Sequence, residues 1–347
     1  MIKEEQIDLW NGHPLMQVTL ENKQGMRVEA INYGCRITGL YVPDRNGVVE
    51  NVVLGYKDAA EYQTDPSFFG AVVGRVAGRI PNGRMQLNDE NYPLVLSEGN
   101  HHLHGGEKGY GKVMWNVETE QADDASKVHF TYHSPDKEQG YPGAVEVKVT
   151  YSLGENGTFS ILYDGISDQD TWLSLTNHSY FNLSGSMKRS VEKHELNVPV
   201  ESIFELDSEL IPTGQVLAVE NTPYDVRGGK RLAEAFQQDH PQIAVASGGF
   251  DHFFIFEKET SQPVVLKDKE SGRVMTMRTT EPGAVIYTAN KTNNSLTLKD
   301  GPGFRYAGIC LETQRLPEMF RHLERPTCFL KAGERYHAET SFTFTVE

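Results

Sequence analysis

Cysteine is scarce: Cys35, Cys310 and Cys328 are the only three in 347 residues. An odd number without close spacing supplies neither a disulfide framework nor a four-thiolate zinc site, and suits a reducing compartment. Basic charge is also short. With 33 Lys and Arg against 48 Asp and Glu, the formal charge is −15, a field that repels phosphate backbones and anionic lipid. Neither a nucleic-acid nor a membrane partner is expected. No apolar run approaches the ~20 residues of a membrane-spanning helix, and the opening MIKEEQIDLW lacks the apolar core of a signal peptide. These absences predict a cytoplasmic protein.

Helical periodicity is thin too. Leu232 to Asp239 suits about two turns and Asp58 to Tyr62 about one, and the lack of long βαβ alternation argues against a parallel α/β sheet. No low-complexity linker, charge block or repeat divides the chain.

What the sequence does have is period-two alternation. Val145, Val147, Val149, Tyr151 and Leu153 fall on one face, with Glu146, Lys148, Thr150 and Ser152 opposite, the mark of a half-buried strand. Turn residues at Gly154 to Gly157 lead to Phe159, Ile161 and Tyr163, a neighbour for the first strand. Phe342, Phe344 and Val346 repeat the pattern near the end of the chain. The prediction is an all-β chain, one domain over residues 1–347, built as a large antiparallel β-sandwich with a few short helices.

Several separated motifs could carry chemistry. FFGAVVGRVAGRI, 68–80, brings Arg75 and Arg79 behind small residues that let backbone approach a ligand, although ion-paired arginines beside a packed strand read the same way. GNHHLHGG, 99–106, crowds His101, His102 and His104 into a glycine-closed loop. No HExxH or CxxC spacing accompanies it, so a histidine that hydrogen-bonds a small polar ligand explains it more cheaply than a metal site. In NHSYFNL, 177–183, His178 precedes Tyr180 and Phe181; alone, it reads equally well as a core histidine. Asp251 in GGFDHFFIF and Glu312 in LETQRLPE adjoin apolar strands, where a carboxylate is costly unless paired.

Taken in order, GRVAGRI, NHHLHGG, NHSYFNL, IPTG, GFDHFF, TTEPGAVIYTAN and LETQRLP resemble the aldose 1-epimerase, or galactose mutarotase, family over most of the chain. The resemblance implies a sandwich of the galactose-mutarotase type with a free sugar in an open cleft on a sheet. It implies that Glu312 is the catalytic base and His178 the catalytic acid, and that Arg79, His104 and Asp251 hold sugar hydroxyls. Arg75 fits the motif but not that role. Gly78 stands where many members have asparagine, Val285 where some have a ligand-contacting glutamine, and Glu318 to His322 departs from the usual loop.

The implied reaction moves protons between the anomeric hydroxyl and the ring oxygen of a hemiacetal, so acid and base groups suffice and neither cofactor nor metal is expected. A carboxylate beside His178 would favour its protonated form, and Asp251 is the expected neighbour. An aromatic wall could come from Tyr180 or Phe253, residues that strand packing explains as well. Two other functions stay open at this point: a glycoside hydrolase using Asp251 and Glu312, and a non-catalytic carbohydrate-binding protein of the same fold. The expected partner is a small aldose, bound by a monomer or homodimer.

Overall fold

β-Branched and aromatic residues placed at every second position want a pleated surface with one face dry. In the computed structural model, which describes residues 1–87, 89–258 and 262–347, they get it. Val145–Gly154 buries Val145, Val147, Val149, Tyr151 and Leu153 and exposes Glu146 and Lys148. It pairs antiparallel with Thr158–Ser167, setting Tyr163 opposite Val149 and Ile161 opposite Tyr151. Thr150, expected on the wet face, is buried because its Oγ1 meets His129 Nδ1 at 2.9 Å from the neighbouring strand.

These strands belong to a nine-stranded sheet that includes Arg335–Val346. There Phe342 is buried, Phe344 half-buried and Val346 exposed, so the dry face fades towards the strand's end. A six-stranded sheet contains Tyr180–Phe181, Ile309–Thr313, Gly283–Tyr287, Asp251–Phe256, Val200–Leu206 and Pro212–Ala218, in that order. A five-stranded sheet is formed within residues 2–51. Among the described residues, strand pairs are antiparallel, and the parallel contacts are isolated bridges at Val76–Ser174 and Leu316–Thr327. One buried cluster draws on all three sheets, with Val18, Val149 and Ile286 among its members.

Helices are short. Leu232–Phe236 stops before the expected Asp239, and Pro241 holds His240 in extended backbone, which bars the helix from running on. That proline instead opens a second helix, Pro241–Val245, where it needs no N–H partner and His240 Nδ1 accepts from the Gln242 N–H. A 3₁₀ turn occupies Ala59–Gln63.

Candidate active site

Strand register builds the centre of the site. Tyr180 pairs with Cys310 and Phe181 with Ile309; just before that pair the backbone of His178 is held by Gly70 and Ala71, its N–H donating to the Ala71 carbonyl at 2.8 Å and its carbonyl accepting from the Gly70 N–H at 3.0 Å. Val285 lies across from Glu312, and Phe253 beyond Val285. His178 Nε2 stands 3.5 Å from Glu312 Oε1, with both side chains buried. The other ring nitrogen, Nδ1, lies 3.5 Å from Cys310 Sγ. Asp251 opens its own strand and pairs with Tyr287, which pairs in turn with Cys310. The alternation that dries one face of this sheet thus aims Asp251 and Glu312 at the other.

A second wall comes from a short ladder, Arg79–Ile80 against His102–Leu103. One residue beyond it, the Gly78 N–H donates to His104 Nδ1 at 3.2 Å while the His104 N–H donates to the Gly78 carbonyl at 3.1 Å. An acceptor at Nδ1 leaves the proton of a neutral ring on Nε2. The loop then turns through Gly105, where φ is +87° and a Cβ would collide with the Gly74 carbonyl, so only glycine fits. Glu98 holds Arg79 by two bonds, 2.6 Å from Nε and 3.0 Å from Nη2.

All five residues singled out in the sequence line one cavity of about 290 Å³, near the lower end of small-molecule sites. Arg75 does not line it; its guanidinium is taken up by Ser134 Oγ and the Pro135 and Pro142 carbonyls. Of the loop histidines only His104 reaches the cavity, for His102 is held between the Val95 carbonyl and the Tyr141 hydroxyl, and His101 lies 3.3 Å from Glu209. Tyr180 and Phe253 both line the cavity, and Phe253 also stacks on Phe204.

Sequence reasoning missed Phe68, whose ring stacks on His178 at 6.0 Å and meets His104 edge-on at 4.9 Å. It also missed Glu98, Lys291 and Gln314. Glu98 directly precedes the histidine loop, but nothing in its spacing joins it to an arginine 19 residues earlier.

Burial governs the protonation of the site. It pushes the His178 imidazole down to about 4, helped by the positive charges of Arg36 and Arg79. His104 is driven well below its ordinary value by burial and by its neighbours His178 and Arg79. Glu312 moves the other way, raised well above the carboxylate range by burial and by Asp251, with Arg79 opposing. Asp251 itself is raised by burial against the pull of Arg79 and Lys291. Its charge acts on Glu312.

The model of the aldose 1-epimerase family matches residues 16–343. The chain belongs to the aldose 1-epimerase family. It is 38% identical over 324 residues to a galactose mutarotase of Bos taurus, covering 92% of each chain. It is 37% identical over 348 residues to an aldose 1-epimerase of Haemophilus influenzae, covering 99% of this chain and all of that one. Among solved structures, a galactose 1-epimerase from Lactobacillus acidophilus superposes with a TM-score of 0.88 at 25% identity, covering 100% of this chain and 99% of that one. An aldose epimerase homologue from C. elegans gives 0.86 at 28%, covering 96% and 99%. Aldose 1-epimerases are isomerases, and the fold is that of the galactose mutarotases.

The departures from the family pattern can now be located. Gly78 contributes only backbone to the His104 wall, and Val285 puts an apolar side chain across from Glu312. The segment from Glu318 forms a 3₁₀ helix, Glu318–Leu323, that places Phe320 flat on the cavity-lining Phe204, ring centroids 3.6 Å apart.

His104, His178 and Glu312 also resemble a metal-ligand set, with one ligand atom from each lying within 4.8 Å of the others. Tetrahedral ligands at about 2.1 Å from one zinc ion stand about 3.4 Å apart. A metal would thus need the site to contract around it while Arg79, whose charge is felt at His104 and Glu312, opposes the cation.

Proposed function

We propose that this cavity interconverts the α and β anomers of free neutral hexoses such as galactose and glucose. Glu312 takes the proton of the C1 hydroxyl while His178 gives one to the ring oxygen; the C1–O5 bond breaks, and the open aldehyde turns about C1–C2. Closure on the other face runs the transfers backwards, Glu312 returning a proton to the C1 oxygen and His178 recovering one from O5. Arg79, His104 and Asp251 hold the hydroxyls of the ring. No cofactor or metal has a step to perform.

The observation that carries this reading is the 3.5 Å approach of His178 to Glu312 inside a cavity lined by hydrogen-bonding groups. Both oxygens that exchange protons are bonded to the same carbon, so their acid and base must be near neighbours. Burial favours the uncharged pair, with the proton on Glu312. Mutual attraction at 3.5 Å, about 5 kcal/mol at an effective dielectric of about 20, favours the charged pair, with the proton on His178. The two terms oppose one another across a pair that, in this proposal, exchanges roles in each turnover.

Charge points to a neutral substrate: around the cavity Arg79 and Lys291 are matched by Glu98 and Asp251, and the His178–Glu312 pair is neutral as a whole in either state, which leaves no net positive charge to hold a sugar phosphate. A glycoside hydrolase would pair Glu312 with a second carboxylate as acid; the group beside it here is an imidazole. We also place the protein in the cytoplasm, as a monomer or homodimer. Its three cysteines are buried free thiols, and no helix among the described residues is long and apolar enough to cross a membrane.

Polarimetry of freshly dissolved α-galactose and α-glucose tests the proposal, with an aryl glycoside and glucose 6-phosphate alongside. We expect rapid equilibration of the free hexoses, weak action on the phosphate and no aryl alcohol released. Equilibration no faster than in buffer alone would sink the reading, and released aryl alcohol would replace it with hydrolysis.

A further inference from the structure

We propose that Gln314 is an additional sugar-contacting residue, its side-chain amide hydrogen-bonding a hydroxyl on the Arg79–His104 side of the bound aldose. This rests on the reading of the cavity as an aldose site and extends it to a residue outside the five.

Strand periodicity supplies the direction. Cys310 and Glu312 share the face that meets His178, and two residues on, Gln314 continues that face. The backbone is still in the ladder there, with the Gln314 N–H donating to the Gly283 carbonyl at 3.2 Å. Gln314 lines the cavity yet is only 3% exposed.

Two of the amide's neighbours are glycines, and its oxygen is left unpaired. Across the ladder stands Gly283, and above the amide is Gly78, where an added Cβ would lie 3.6 Å from Gln314 Nε2. Two glycines offer no side chain to bond. Gln314 Oε1 is buried and has no hydrogen-bond partner among the described residues. A buried amide oxygen left unpaired bears its full desolvation cost, which a similarly shaped apolar side chain would avoid. A hydroxyl of the substrate can both donate to Oε1 and accept from Nε2. It would reach them beside Gly78, whose N–H fixes His104, so the contacted hydroxyl belongs to the part of the ring held by that wall.

The test uses Gln314→Met, similar in length and without the amide. With galactose we expect KM to rise about tenfold, kcat to stay within threefold and the melting temperature to hold or increase, the pattern of lost uniform binding. A panel of monodeoxygalactoses gives the matching partner: one of them should raise the wild-type KM by a similar factor, and with that sugar Gln314→Met should add no further loss. A galactose KM within twofold of wild type, or losses that multiply with every deoxy sugar, overturns the proposal. If Gln314→Met does not fold, Gln314→Leu, which also lacks the amide, carries the same comparison. A wild-type crystal soaked in galactose decides without any variant: a sugar oxygen within about 3.2 Å of the amide supports the contact, and an amide turned from the sugar refutes it. Wild-type protein inactive on every aldose would instead refute the function of the cavity, so the two failures are distinguishable.

Discussion

The hairpin Val145–Gly154/Thr158–Ser167 and the strand Ile309–Thr313 obey the same period of two and put it to opposite uses. In the hairpin, alternation sorts residues into a dry face and a wet one, with Val149 buried and Lys148 exposed. In Ile309–Thr313 every position is buried. One face, Ile309 and Leu311, joins the main core, while the other carries Cys310 and Glu312 to His178. Where both faces of a strand are buried, alternation no longer separates inside from outside; it separates the core from the face that carries the proposed base. The hairpin minimises free energy locally. The Glu312 strand accepts a buried carboxyl raised out of its ordinary range, a cost that function explains and stability does not.

That contrast can be broken by experiment. The largest effect is expected at the chemical face: Glu312→Gln and His178→Asn should each reduce mutarotation by about 10²–10⁴-fold, the usual worth of a positioned acid or base, with no fall in melting temperature. Rates near wild type in either variant would return that residue to a packing role. Next is Leu153→Ala in the hairpin, which should cost about 2–5 kcal/mol in urea unfolding and leave kcat and KM unchanged. A loss of activity in that variant while it remains folded would show that the two regions are coupled.

A smaller effect lies at the corner between the regions. Glu281 sits between the strands Arg273–Thr279 and Gly283–Tyr287, one in each large sheet, and burial raises it from 4.5 to about 7 despite Arg315. Between those pH values the folded chain keeps a proton that the unfolded chain has released. Stability from this group is therefore full below about 4.5 and declines as pH rises through about 7. Glu281→Gln should match wild type at pH 4.5 and exceed it at pH 8 by roughly 3 kcal/mol. Parallel stability curves for the two proteins across that range would show that the side chain is not buried as described. Smallest of all, Lys148→Gln on the wet face should shift stability by less than about 0.5 kcal/mol; a larger loss would mean that this face is covered in solution.

Much of the architecture was legible in the residues. The Val145 and Phe159 strands, their pairing and the shortage of helix follow from alternation and turn residues, which act within a few positions. The candidate site was legible only as fragments: each motif announced an arginine, a histidine or an acid, and the resemblance of the whole series named the family they belong to. Phe68 and Glu98 were invisible because each owes its place to a contact across strands or loops.

The amino-acid order alone decided which residues alternate, which turns need glycine and which polar side chains sit among apolar ones, since these are properties of neighbours along the chain. Folding decided the rest. The packing of distant segments sets His178 beside Glu312, directs the charge of Asp251 onto Glu312 and leaves Gln314 between two glycines. Register, burial and the electric field at a group depend on what comes to lie opposite it, and no local pattern specifies that.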